Sequence, residues 1–254
     1  RDLLYDAYFG RRVRDGQRWL TEIPVDEDAS GYRSWDAESE GGTGIITMVQ
    51  QVGSLELRQA YFTPQDLPHA GFLMVMEVRN TGASVVPGVE AFSLHNLHLG
   101  TGRPQSPWNL YDDIGENAET LSFDAASGQF VEVGFAGTAV VHALAPVAHH
   151  GAAPQADPYG IVAGGGAVDL PDNVPSPGAV DGAVGAFQFS LGDLAPGESQ
   201  TVGVAVVHHG DPTTSQVAID ALESYVAGRD AATVLADEVA LWAAVHTNTL
   251  GTGY

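Results

Sequence analysis

The stretch Ile45–Phe62, which reads IITMVQQVGSLELRQAYF, carries the clearest structural signal in the sequence. It contains two extended apolar runs on either side of Gly53-Ser54, and a glycine at the first position of a two-residue turn is typical of a tight β-hairpin. In the second run, apolar and polar residues alternate, which predicts one buried face and one solvated face. The stretch therefore predicts an antiparallel hairpin.

Strand patterns continue along most of the chain. Phe72–Val78 is apolar at both sets of alternating positions, which predicts a strand that is buried on both faces almost to its end. A further strand region is predicted at residues 85–99, with an interruption at Pro87-Gly88. Residues 130–135 and 139–144 are predicted to form a hairpin that turns at Gly137. Residues 184–191 and 202–208 are predicted to form the last pair of strands. Two loops rich in glycine and proline are predicted at about residues 100–128 and 145–183.

The C-terminal region changes from a strand period to a helical period. One helix is predicted from Val217 to Tyr225, before Gly228, and a second from Asp230 to about His246. The predicted fold is therefore mostly β. It comprises a large antiparallel β-sandwich over residues 1–212, with an irregular N-terminal arm over residues 1–44, followed by a helical hairpin or linker over residues 213–254.

Composition excludes several classes of function. The chain has 254 residues, 32 of them acidic and 10 basic, so its net charge is -22 at pH 7. Nucleic acids and anionic membranes are therefore excluded as partners, and no apolar run approaches the ~20 residues of a membrane span. The absence of cysteine excludes disulfides and thiolate metal sites. An acidic chain without lysine or cysteine suggests a secreted or periplasmic protein, and a start at Arg1 suggests a processed product or a piece of a longer protein.

No catalytic residue, metal site or cofactor site is predicted from motifs. The paired histidines are His95 with His98, His149 with His150, and His208 with His209. Positions one or three apart on a strand point to opposite faces, so these pairs do not predict a metal site. The acidic segment 112–117 does not match a calcium-binding loop, and no serine occupies a G-x-S-x-G motif.

A candidate carbohydrate contact lies in the first long loop, where Trp108, Tyr111 and Asp112 are close in sequence. Sugars stack on aromatic faces, and their hydroxyl groups donate hydrogen bonds to carboxylates, so this composition suits a saccharide. The competing interpretation, which we favour at this stage, is that the aromatic side chains anchor the loop to the body of the protein.

A candidate interface lies on the second helix. Leu235, Val239 and Trp242 form one stripe, and Leu241 lies beside it among other apolar residues. This apolar arc is wider than one contact requires, so a helix lying on the sandwich would leave part of it exposed to a partner. The alternative is that the sandwich covers both sides of the helix.

Three stretches together suggest a family. They are residues 3–10 (LLYDAYFG), residues 61–82 with Tyr61-Phe62, Asp66-Leu67-Pro68 and Asn80-Thr81-Gly82, and residues 92–100 (FSLHNLHLG). With a sandwich followed by a helical hairpin, the chain resembles the N-terminal β-supersandwich domain of bacterial glucoamylase-type (family 15) glycoside hydrolases. In that family, linker helices join the sandwich to an α/α barrel that carries both catalytic glutamates. The resemblance thus implies a non-catalytic domain that supports a separate barrel.

Two other functions stay open at this stage. One is an independent secreted module that binds a polysaccharide or a cell surface, and the other is a free-standing mutarotase-like sugar enzyme. The enzyme would require a histidine and a carboxylate that converge in a concave sheet. The expected partners are a downstream or cleaved α/α-barrel catalytic domain, a second copy of the chain, or a polysaccharide.

Overall fold

The computed structural model describes residues 4–13, 16–22, 32–33, 45–97, 99, 119–153, 156–173 and 183–250. The strands within these ranges are β1 (Leu4–Val13), β2 (Gly16–Trp19), β3 (Tyr32–Arg33), β4 (Ile46–Val52), β5 (Leu55–Phe62), β6 (Ala70–Asn80), β7 (Val86–Leu97), β8 (Thr120–Asp124), β9 (Gln129–Gly134), β10 (Gly137–Ala143), β11 (His149–Ala152), β12 (Val184–Leu194) and β13 (Ser199–His209). The helices are α1 (Pro158–Ala163), α2 (Ser215–Val226) and α3 (Ala231–Leu250), and a 3-10 turn spans Leu20–Glu22.

The described strands form two antiparallel sheets. A five-stranded sheet has the order β11-β12-β7-β1-β2, and an eight-stranded sheet has the order β3-β4-β5-β6-β13-β10-β9-β8. Side chains from both sheets share one hydrophobic cluster, which includes Phe9 and Phe187 from the first sheet and Met76 and Phe130 from the second. The predicted antiparallel β-sandwich is therefore confirmed.

Strand β6 lies at the centre of the layered structure. Met74 and Met76 point into the core between the two sheets. Leu73 and Val75 point to the opposite face, where they pack in a second cluster with Leu222 of α2. The predicted burial of both faces is confirmed, and the helical hairpin is the layer that covers the second face.

The outer face of the five-stranded sheet is covered by residues 156–173, which we call the strap. The strap contains α1 and the segment that follows it. Val162 and Leu170 of the strap pack against Trp19 and Phe92 of the sheet in a third hydrophobic cluster. The molecule therefore has four layers, in the order strap, five-stranded sheet, eight-stranded sheet and helical hairpin.

Both predicted hairpins are confirmed. β4 pairs with β5 across Gly53, whose φ of +59° lies in the left-handed region that favours glycine. β9 pairs with β10, and their turn lies at Phe135-Ala136, just before the predicted Gly137. The two predicted helices are also confirmed, and Gly228, with a φ of +72°, lies between them.

The predicted irregular N-terminal arm is wrong for residues 4–19. β1 pairs with β7 on one side and with β2 on the other, and Phe9 points into the core. The arginines in β1 hid this strand from the sequence analysis, because adjacent charges are rare in a strand that is covered on both faces. Arg12 is accommodated because acidic side chains of β7 and the strap pair with it.

Two predicted strand arrangements also differ from the structure. β7 is one continuous strand through Pro87-Gly88, where Gly88 adopts a φ of +58° and its N–H donates to Asp193 Oδ1 at 2.8 Å. β12 and β13 do not pair with each other, because β12 lies in the five-stranded sheet and β13 in the eight-stranded sheet. The predicted long loops contain β8, β11 and α1.

Candidate functional site

The residues predicted to contact carbohydrate lie outside the described residues. Trp108, Tyr111 and Asp112 all fall within residues 100–118, and His98 also has no described position. The carbohydrate contact therefore stays a prediction. Within the described ranges, no three His, Asp or Glu side chains lie close enough together to hold a metal ion.

A row of polar side chains crosses the outer face of the five-stranded sheet beneath the strap. Arg12 Nη1 lies 3.0 Å from Glu90 Oε2 and 2.7 Å from Asp169 Oδ1. Gln188 Nε2 donates to the same two carboxylates at 2.8 Å each. Gln188 Oε1 accepts a hydrogen bond from the backbone N–H of Leu170 at 2.9 Å. The row therefore fastens the strap to three strands of the sheet.

A histidine continues this row at the edge of the sheet. His149 Nδ1 donates to Asp172 Oδ2 at 2.8 Å, and His149 Nε2 lies 3.8 Å from Asp169 Oδ2. Asp172 Oδ1 accepts the backbone N–H of His150 at 3.0 Å. The side chains of His149 and Asp172 are 35% and 49% exposed, so solvent reaches this end of the row.

The surroundings of the row raise the pKa of two of its members. The hydrogen bond to Asp172 raises the pKa of His149, although partial burial opposes the change. Burial raises the pKa of Glu90, while the nearby Arg12 guanidinium works against that increase. Because its folded-state pKa is raised, the contribution of His149 to stability is present at lower pH and is lost as the pH rises through that pKa.

The residue types in the row are those of an acid–base site, but the hydrogen bonds and ion pairs in the row attach the strap to the sheet. A histidine and carboxylates converge here, which the mutarotase-like function requires. However, Arg12, Gln188, Glu90 and Asp169 bond to one another or to the strap backbone. The sequence analysis missed this cluster because its members come from distant segments: Arg12 and Asp169 are 157 positions apart.

His95 lies in the core between the two sheets. Its ring centroid is 5.2 Å from those of Phe130 and Phe187, and the residue is 2% exposed. Neither ring nitrogen has a hydrogen-bond partner in the described part of the chain. Burial lowers the pKa of His95 to about 3, so the ring is neutral at ordinary pH. This environment is that of a core residue.

The surface of α3 contains the residues predicted as an interface. The buried face of α3 is displaced by one position from the predicted stripe, because Val234 and Glu238 are buried whereas Leu235 and Val239 are not. Leu235 and Trp242 are half-buried, and the Trp242 indole donates to Glu238 Oε1 at 2.7 Å. Val239 is 44% exposed and Leu241 is 37% exposed. No described helix combines the length and apolarity that crossing a membrane requires.

One arginine holds the helical hairpin against the eight-stranded sheet. Arg229, between α2 and α3, lies 3.1 Å from Asp237 of α3 and 3.6 Å from Asp66 in the β5–β6 loop. Its guanidinium also covers the ring of Tyr225 at 4.8 Å. These contacts join both helices to the sheet and fix which side of α3 faces outward.

Comparison with solved structures gives matches among carbohydrate-active enzymes. A bacterial glucoamylase in complex with acarbose superposes with a TM-score of 0.55 at 8% identity, and the match covers 95% of this chain and 32% of the glucoamylase. A putative kojibiose phosphorylase from the human microbiome matches with a TM-score of 0.44 at 8% identity, over 93% of this chain and 26% of that one. A polysaccharide lyase matches with a TM-score of 0.44 at 10% identity, over 86% and 27%.

The chain spans about a third or less of the length of these solved structures. No protein-family model matches it, and no curated protein matches it significantly. At such low identity the glucoamylase match shows a shared fold. The chain is thus a mostly β sandwich whose fold also occurs as part of a bacterial glucoamylase.

Proposed function

We propose that this chain is a non-catalytic β-sandwich domain of a glycoside hydrolase, and that its helical hairpin lies against a separate helical catalytic domain. The exposed apolar surface of α3 is the observation that carries the proposal. The fold shared with a region of glucoamylase supports it, because that region accounts for only 32% of the enzyme. The remaining length of such an enzyme is available for the catalytic domain.

The exposed side of α3 suits a helix as its contact. Val239 and Leu241 lie on the two flanks of this side, because positions two apart on a helix point in nearly opposite directions, and the small side chains of Ala236 and Ala240 between them allow another helix to approach closely. Among the exposed described side chains of α3, only Asp237 is charged, and it pairs with Arg229. A second copy of the chain is a poorer partner, because two molecules that each carry a net charge of -22 repel one another.

The proposal is tested by expressing the complete product of the gene and comparing its amide hydrogen exchange with that of the 254-residue chain. We expect additional polypeptide with a helical domain, and slower exchange in α3 within the complete product, because a partner helix excludes solvent from Val239 and Leu241. Replacing both residues with aspartate should abolish this extra protection, since two carboxylates would be buried without partners.

The matched control is Val217→Asp on α2, which also changes an exposed valine into a carboxylate. It should leave the protection of α3 unchanged. A gene product that ends at Tyr254, or α3 exchange that is equal in the two proteins, would contradict the proposed role.

A second candidate function is favoured by the convergence of His149 with Asp172, Asp169 and Glu90. These residues would serve a mutarotase-like enzyme as acid and base toward a sugar hydroxyl. Polarimetry of freshly dissolved α-glucose and α-galactose tests this function. Acceleration of anomer exchange that is lost in Asp172→Asn, a variant that keeps the size of the side chain, would support the second candidate over the first.

A further inference from the structure

Phe135 is the most exposed large apolar side chain in the described residues. It lies in the β9–β10 turn at one end of the eight-stranded sheet and is 70% exposed. The turn itself is well fixed, because the backbone N–H of Ala136 donates to Leu99 O at 2.7 Å and the carbonyl of Ala136 accepts from His208 Nε2 at 3.0 Å. A rigid turn therefore presents an aromatic ring to solvent.

Three imidazoles lie at the same end of the sheet. His208 and His209 end β13 and, being adjacent on a strand, point to opposite faces, so that His208 fixes the turn while His209 lies on the side of His69, which immediately precedes β6. The rings of His69 and His209 meet edge to face with centroids 5.1 Å apart, and His209 Nε2 is hydrogen-bonded to Thr214 Oγ1 at 3.0 Å. The ring nitrogens of His69 make no hydrogen bond within the described part of the chain, so they can bond to a ligand.

Strand register sets the dimensions of this surface. Ala70 of β6 pairs with His208, and Thr138 of β10 pairs with His209, so β6, β13, β10 and β9 lie side by side here. Two to three strand spacings of about 4.8 Å separate β6 from the β9–β10 turn, so the His69 position and Phe135 lie roughly 10–14 Å apart. Two to three pyranose rings, each about 5 Å long, span such a distance.

We propose that the face of this sheet end that carries Phe135, His69 and His209 binds a neutral oligosaccharide. The ring of Phe135 stacks on the C–H face of one sugar, and the imidazoles of His209 and His69 bond to hydroxyl groups of sugars farther along the chain. This function goes beyond support of a catalytic domain, because a supporting domain needs no ligand of its own.

The chemistry of the surface favours a neutral saccharide over the two main alternatives. An anionic glycan would be repelled by a protein of net charge -22. A protein partner would require a continuous apolar patch, whereas the residues beside the Phe135 turn include His208 and, farther along the sheet end, His209, Thr214 and Asp211. An isolated aromatic ring among polar side chains is the usual composition of a sugar contact.

Affinity electrophoresis of the purified chain through gels that contain soluble starch, xylan or mixed-linkage β-glucan tests the proposal, with polygalacturonate as the anionic comparison. We expect retardation by at least one neutral polysaccharide and none by polygalacturonate. Phe135→Ala and Phe135→Leu should both weaken the interaction about tenfold or more, whereas Phe135→Tyr should retain it, because only an aromatic ring stacks on a sugar.

Phe135→Leu distinguishes a sugar ligand from a protein partner, because leucine preserves an apolar contact with a protein but cannot stack on a sugar ring. Val85→Ala is the matched control, since Val85 is 53% exposed in the β6–β7 loop and lies outside the proposed surface. Circular dichroism verifies that each variant is folded. The inference is overturned if no neutral polysaccharide retards the chain, or if Phe135→Leu and Phe135→Ala are retarded like the wild type. Neither result affects the proposed role of α3.

Discussion

Met74→Ala is expected to lower the free energy of unfolding by about 2–5 kcal/mol. Met74 is 1% exposed and points into the core between the two sheets, from the central strand β6. Its neighbours in the adjacent strands, Tyr61 of β5 and Val204 of β13, are held by their own ladder hydrogen bonds, so they cannot collapse into the space that the truncation leaves. Urea denaturation monitored by circular dichroism measures the effect.

Met48→Ala is the matched control for this prediction, because it removes the same atoms from a half-buried position on β4, close to the edge of the eight-stranded sheet. Its cost should be about 1 kcal/mol or less, since less apolar surface returns to water. Equal effects at the two positions would show that Met74 does not lie in the inter-sheet core.

Acid should destabilise the protein through His95. The pKa of His95 is about 3 in the folded state, against 6.5 for the free side chain. Between these values the unfolded chain binds a proton that the folded chain excludes, so stability falls as the pH falls from 6.5 toward 3. At about 1.4 kcal/mol per pH unit, the loss from this residue alone reaches roughly 2 kcal/mol at pH 5 and roughly 4 kcal/mol at pH 3.

His95→Leu isolates this effect from other titrating groups, including His142 and His150, whose pKa values are also lowered by burial. The variant should lose about 2 kcal/mol less than the wild type between pH 6.5 and 5. It should also be as stable as the wild type, or more stable, at pH 7, because it removes a buried ring whose nitrogens have no partner. A pH dependence that persists unchanged in His95→Leu would assign the acid sensitivity to other groups.

Much of the eight-stranded sheet could be predicted from local patterns. The alternation in residues 55–62 and the apolar run at 72–78 are properties of single strands, and both strands fold as predicted. β1 could not be predicted in this way. Its Arg12 is tolerated only because Glu90 and Asp169 lie beside it in the folded protein, and no local pattern contains those partners.

The functional surfaces were harder to predict for the same reason. His149 and Asp172 lie 23 positions apart in the sequence, and only the folded edge of the sheet brings His149 Nδ1 within 2.8 Å of Asp172 Oδ2. Phe135 was predicted as the end of a strand, and its exposure results from its place in the turn. The candidate interface on α3 was predicted from an apolar arc, but the side of α3 that is exposed depends on the contacts of Arg229 and on the burial of Val234.

In the proposed function, this domain supports a catalytic domain without performing catalysis itself. Incubation of the purified 254-residue chain with maltooligosaccharides, followed by chromatography of the released sugars, tests this claim most directly. We predict no turnover above that of the buffer. Turnover that is abolished by a single carboxylate substitution such as Asp172→Asn or Glu90→Gln, and retained in the folded control Val85→Ala, would contradict it.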